Sequence, residues 1–218
     1  MRSAPYFTFY FKSMSLQQAW EHFIREIQTT ELLVYIAVFF GIASVLYSRK
    51  ENILVYPTGL INTILYTYFC FFWWGLYAEA SLNFYYTILS IYGWYAWSRK
   101  GNFQKPSLRI SDSTTMQWMQ AIGFFLACWL VLYLILSHTN STVPVADSFA
   151  SATAYTGMLL MTRKKIENWI WWILTNIASI PLYYYKGSVL TSFQYLIFLI
   201  LAIMGLISWK RKLRHATD

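Results

Sequence analysis

Seven long apolar stretches dominate this chain, at about residues 32–48, 53–73, 80–98, 116–137, 146–162, 168–185 and 188–209, and none holds Asp, Glu, Lys or Arg in its interior. Glu79 and Asp147 stand at the rims of the third and fifth. A helix needs about 20 such residues to cross the hydrocarbon core of a bilayer. The runs are continuously apolar rather than alternating, which argues against a β-barrel. Only 12% of residues are charged and the mean hydropathy is +0.39, whereas a soluble domain carries about 25% charged residues. The expectation is an all-α integral membrane protein with seven transmembrane helices. Cys70 and Cys128 stand apart, and His22, His138 and His215 have no metal-binding spacing, so no disulfide scaffold, zinc site or other cofactor is expected.

The net charge of +8 is unevenly placed. Arg49 and Lys50 follow the first stretch, Arg99, Lys100, Lys105 and Arg109 the third, Arg163, Lys164 and Lys165 the fifth, and Lys210, Arg211, Lys212 and Arg214 the seventh. Only Arg2, Lys12, Arg25 and Lys186 fall on the other side. Basic residues clustered in alternate loops set membrane topology, and they place the C-terminus in the cytoplasm and the N-terminus outside. They give no reason to expect a nucleic-acid partner; the bilayer is the partner. Residues 1–30 do not have the pattern of a signal peptide. Ser15-Leu16-Gln17-Gln18 is a capping-box pattern, after which Leu16, Trp20, Phe23, Ile24 and Ile27 share one helical face. That describes an amphipathic helix lying on the outer leaflet or packed as a lid over the bundle.

The chain also repeats. A shift of 116 residues aligns Arg49 with Lys165, Glu51 with Glu167, Asn52 with Asn168, Ala37 with Thr153 and Gly41 with Gly157. A shift of 112 aligns Gly93 with Gly205 and Trp97 with Trp209. Stretches 1–3 and 5–7 are then two repeats, and stretch 4 is a linker. Directly joined three-helix units would be inverted, and one intervening helix makes them parallel. The organisation is a 3+1+3 bundle: residues 1–30 external, 31–100 repeat one, 101–144 loop and linker helix, 145–212 repeat two, 213–218 tail. Ala37-xxx-Gly41 and Thr153-xxx-Gly157 are small-residue faces suited to close helix packing.

Polar side chains inside membrane spans are costly and face the interior. The candidates are Asn62, Thr63 and Tyr66 in the second stretch, Asn83, Tyr86, Thr87 and Ser90 with Trp94 in the third, Asn168, Thr175, Asn176 and Ser179 with Trp169 and Trp172 in the sixth, and Gln194 in the seventh. Trp169, Trp172, Asn176, Ser179 and Tyr183 recur at steps of three and four, so they share one helical face. Trp169 is near the cytoplasmic end, where tryptophan also forms interface belts. Trp172 and Asn176 lie deeper and combine a stacking plane with an amide, which suits a small aromatic ligand. Pro57 and Pro181 can each kink a helix. No Asp, Glu, His or Lys lies mid-span to relay protons, and no Walker A, HExxH or GxSxG string occurs. An enzyme is therefore not expected.

The residues that carry a family resemblance are Glu51-Asn52, Tyr56-Pro57-Thr58-Gly59, Leu82-Asn83-Phe84-Tyr85-Tyr86, Tyr92-Gly93-Trp94-Tyr95-Ala96-Trp97, Glu167-Asn168-Trp169 with Trp172 and Asn176, Gln194-Tyr195-Leu196, and Gly205 with Trp209. Over roughly residues 30–210 the chain resembles the PnuC family of bacterial vitamin B3 transporters. The resemblance implies a SWEET-like bundle in the inner membrane that takes up nicotinamide riboside by facilitated diffusion. It also implies coupling to a cytoplasmic riboside kinase that traps the product. The same family fold carrying another vitamin or nucleoside, such as thiamine, is the alternative, and a non-transporting membrane receptor or scaffold is a further one. A homo-oligomer is left open. The riboside has a permanently cationic pyridinium ring, which aromatic faces attract by about 0.5–2 kcal/mol per contact. Asn83, Asn176, Gln194 and, more weakly, Asn62 offer amides to its carboxamide and ribose.

Overall fold

The computed structural model describes residues 15–73, 77–99, 108–139 and 141–215. Residues 1–14, Lys100 and Lys105 of the basic loop, and residues 216–218 lie outside the described residues. Eight α-helices form among those described: α1 Leu16–Thr29, α2 Leu32–Lys50, α3 Val55–Tyr68, α4 Tyr77–Ser98, α5 Thr115–Ser137, α6 Pro144–Thr162, α7 Asn168–Tyr185 and α8 Val189–Arg214. Of these, α2, α5 and α8 are long and apolar enough to cross a membrane.

The first helix starts where its capping box predicts. Ser15 Oγ accepts from the Gln18 N–H at 3.2 Å, and Gln18 Oε1 accepts from the Ser15 N–H at 2.9 Å. One side of α1 docks on α8. Phe23 meets Phe193 edge-on at 5.6 Å, and Glu26 Oε2 accepts from the Leu190 N–H at 2.7 Å. Burial raises the Glu26 carboxyl above its ordinary pKa, despite that bond. Trp20 remains 62% exposed, so docking covers only part of the apolar face.

Helix α3 ends earlier than its apolar stretch. From Phe69 to Trp73 the chain winds as a π-helical turn, with the Phe69 and Trp73 rings stacked at 4.8 Å. Pro57 lies in the first turn of α3, where a backbone N–H has no intrahelical acceptor, so the ring costs no bond and gives no cause for a kink. Pro181 is inside α7 and removes the donor to the Ile177 carbonyl.

The bundle has two sets of neighbours. Helix α3 packs between α2 and α4, α7 packs between α6 and α8, and α5 packs on α6. The sets meet reciprocally, α2 on α8 and α4 on α6. Inside each set a threonine pair joins two helices: Thr87 Oγ1 donates to Thr63 at 2.9 Å, and Thr175 Oγ1 to Thr153 at 2.9 Å. The glycines that align in the sequence also do the same job. Gly93 lies against the Tyr56 ring and Gly205 against the Trp169 ring, each too close for a Cβ.

Gly93→Ala and Gly205→Ala therefore overpack, each at a cost of about 1–3 kcal/mol. Gly123→Ala meets nothing within 4 Å. Thermal unfolding in detergent should show lower Tm for the first two and no loss for the third.

Candidate functional site

The polar cluster is built on α4, α7 and α8. Trp172 is half-buried, and its ring lies 6.0 Å from that of Tyr86 on α4. Gly157 of α6 makes this seat possible, because a Cβ there would come within 3.3 Å of the Trp172 indole. One turn further along the same face is Asn176, only 3% exposed. Its amide has no hydrogen-bond partner among the described residues. A ligand in the cluster can hydrogen-bond it, at a gain of about 0.5–1.5 kcal/mol. Ser179, another turn on and 1% exposed, faces the Tyr195 hydroxyl. Gln194 faces the Tyr66 hydroxyl, and Tyr195 is in turn within electrostatic range of both Tyr66 and Tyr86. Tyr183 stacks on Tyr195 at 5.1 Å. The result is a group of rings, hydroxyls and amides with no charged side chain.

The structure thus brings together Tyr86, Trp172, Asn176, Ser179 and Gln194 from the sequence candidates. Asn83 lies one turn from Tyr86, but its amide donates back to the Glu79 carbonyl at 2.9 Å. The others serve different ends. Asn62 donates to the Ala37 carbonyl at 2.7 Å, tight against Gly41, and ties α3 to α2. Ser90 is 2% exposed and lies opposite Gly59 in the α3–α4 seam. Trp169 is 2% exposed and fills the α7–α8 seam against Gly205 rather than an interface belt. Trp94 is 41% exposed and stands on the outer face of α4, apart from the cluster. Tyr66 was a polar candidate of the second stretch, and Tyr195 was not a candidate. Tyr195 adjoins Gln194 in sequence, but only the packing of α7 on α8 turns it toward Ser179. An apolar crevice of about 640 Å³, lined by Trp129, Pro144, Phe149 and Ala178 among others, shares no residue with the cluster.

The basic end of the bundle is tightly closed. Trp97 Nε1 on α4 donates to the Thr162 carbonyl at the end of α6, at 3.2 Å. Trp209 Nε1 on α8 donates to the Ser48 carbonyl at the end of α2, at 3.0 Å. The two indoles lie 6.2 Å apart, flanked by Tyr56 and Trp169. Lys164 is over the Trp97 ring at 4.5 Å and pairs with Glu51 at 2.8 Å, and Lys212 bonds the other Glu51 oxygen at 3.2 Å. Beside them, Ser111 pairs its backbone with the turn before α7, and Glu167 accepts from Ser113 N and Oγ, both at 2.7 Å.

The sequence and the fold both match known membrane transporters. The family model for nicotinamide mononucleotide transporters matches residues 31–211. The chain belongs to that family. The nicotinamide riboside transporter PnuC of Escherichia coli K12 is 26% identical to it, over 80% of this chain and 83% of its own length. The PnuC of Neisseria mucosa is 25% identical, over 84% and 73%. The riboflavin/roseoflavin transporter RibM of Streptomyces davaonensis is 25% identical, over 56% and 58%. The crystal structure of the vitamin B3 transporter PnuC has the same fold, with a TM-score of 0.71 at 23% identity over 92% of this chain and 90% of that one.

In this family member, Trp97→Phe keeps a ring but leaves the buried Thr162 carbonyl without a donor among the described residues. The expected cost is about 1–3 kcal/mol, read as a lower Tm; Trp209→Phe should cost less, because the Ser48 carbonyl keeps the Glu51 N–H at 2.9 Å.

Proposed function

We propose that this chain carries nicotinamide riboside across a bacterial inner membrane by facilitated diffusion. The observation that carries the reading is the cluster of Tyr86, Trp172 and the unpartnered Asn176 amide. The pyridinium is a cation that aromatic faces attract without a carboxylate. The carboxamide and ribose suit Asn176, Gln194, Ser179 and Tyr195. The family description speaks of the mononucleotide, whereas the E. coli and N. mucosa relatives are named for the riboside. The chemistry of the cluster favours the riboside: the cation at its edge, Lys186 over the Tyr183 ring at 5.7 Å, is already paired with Asp147, and burying an unpaired anion is prohibitive. RibM suggests a second substrate class for the fold, but the cluster has no observed feature that favours a flavin over a pyridinium.

The proposed topology has seven spans, α2 to α8, as two parallel three-helix repeats joined by α5, with α1 and the N-terminus outside and the C-terminus in the cytoplasm. Thirteen basic residues then lie on the cytoplasmic side. The closed basic end is the cytoplasmic gate. Alternating access opens it by releasing Trp97 from Thr162 and Trp209 from Ser48, while the outer ends close over the rings. Binding favours no direction, so net uptake follows the riboside gradient, which a cytoplasmic kinase maintains by phosphorylating the product.

Calorimetric titration of purified protein tests the reading. The riboside should bind and the mononucleotide should not. Trp172→Ala and Asn176→Ala should each weaken riboside binding about tenfold, the effect of roughly 1.4 kcal/mol, with Tm preserved. Unchanged affinity in either folded variant, or equal binding of the mononucleotide, would contradict it.

A further inference from the structure

Glu79 heads the face of α4 that presents the site. Residues 79, 83, 86 and 90 are spaced by four, three and four, so Glu79, Asn83, Tyr86 and Ser90 share one helical stripe. At 1.5 Å per residue, Glu79 lies about 10 Å from Tyr86 along the helix, toward the end opposite the basic gate. The Asn83 amide donates to the Glu79 carbonyl, which joins the two positions. The carboxylate is half-buried and has no hydrogen bond or ion pair among the described residues. It is within electrostatic range of Tyr183 and Tyr195, the stacked rings next to the cluster.

Its position sets it apart from the other outer carboxylates. Asp147 at the start of α6 pairs with Lys186 at the end of α7, and Ser141 also donates to Asp147 at 2.7 Å. Glu26 on α1 accepts from the Leu190 N–H, and Glu31 is exposed before α2. Glu79 is the carboxylate on the α4 face that leads to the cluster, and among the described residues no cation pairs with it. A chamber of neutral rings and amides discriminates weakly between a pyridinium riboside and an uncharged nucleoside of the same shape. A carboxylate at the approach supplies that discrimination, because it concentrates cations at the mouth, repels phosphorylated analogues, and needs no charge at the binding level.

We propose that Glu79 is the cation-selecting residue of the outer approach, attracting the pyridinium substrate on its way to Tyr86 and Trp172. This rests on the riboside reading above. As a positioning group it acts on capture, so its removal raises KM and lowers kcat/KM for a cation while leaving kcat nearly unchanged.

The test is initial uptake into proteoliposomes of zwitterionic lipid, comparing cationic nicotinamide riboside with its dihydro form, whose ring is reduced and uncharged. Glu79→Gln should lower kcat/KM for the cation about tenfold and alter that for the dihydro form by less than about twofold; Glu79→Asp should restore most of the loss. Raising the salt from about 0.02 to 0.5 M should slow cation uptake by the wild-type protein but not by Glu79→Gln. Equal losses for both substrates in a variant of wild-type Tm, or no loss for either, would overturn the assignment. If the Tm falls, or if neither protein carries the dihydro form, the salt dependence of the cation uptake that remains decides: a wild-type slope retained in Glu79→Gln overturns the assignment, and its loss supports it. A wild-type protein that carries neither form would refute the substrate, which is a separate failure.

Discussion

The absence of charge along the middle of the bundle is the constraint on which the rest depends. A charged side chain at that depth is expensive and would need a partner. This chain avoids the cost by confining its ion pairs to the two ends: Glu51 with Lys164 and Lys212 at one, Asp147 with Lys186 at the other. What lies between them offers a ligand ring faces, hydroxyls and amides. In the proposed reading the Trp172 and Tyr86 rings and the Asn176 amide are both the interior packing and the chemistry. The glycines follow from the same need. Gly157 admits Trp172, while Gly93 and Gly205 let large aromatics fill the seams without opening voids.

Two sets of helices that meet reciprocally, α2 on α8 and α4 on α6, close one end. The indoles of Trp97 and Trp209 reach reciprocally across the two helix sets to carbonyls at the ends of α6 and α2. Helix ends leave carbonyls without intrahelical donors. Trp97 satisfies one at the end of α6, Trp209 adds a second bond to a Ser48 carbonyl that the Glu51 N–H already caps, and both join the two sets. Bonds of about 1 kcal/mol each suit the proposed gate, which must hold a closed state and still release. The Glu51–Lys164 pair and the Lys164–Trp97 contact tie charge to the same place.

Much of the helix pattern was legible in the sequence, because apolar length and capping are local signals. The starts of α1 and α5 both carry reciprocal capping boxes. The α7 face was legible too, since Trp172, Asn176 and Ser179 keep helical spacing and only one orientation buries all three. Helix rotation was not. Trp94 and Tyr86 differ by eight residues on α4, yet one is at the surface and the other faces Trp172. Asn62 looked like a binding amide because its bond to the Ala37 carbonyl depends on how α2 crosses α3. The π-helical turn at Phe69 has no signature beyond a run of aromatics. The reciprocal tryptophan bonds were invisible for the same reason: the repeat gave the residues but not their carbonyl partners.

An uncharged chamber that admits a cation with no coupling ion has one direct electrical consequence. Each riboside that crosses should move one positive charge. Charge movement and riboside uptake, measured together in proteoliposomes under equal pH and equal sodium on both sides, test this most directly. A facilitated-diffusion carrier gives a current driven by the riboside gradient alone, with one charge per molecule and no response to an imposed proton or sodium gradient at constant membrane potential. A current or uptake that requires either gradient, or a charge per molecule other than one, would contradict it.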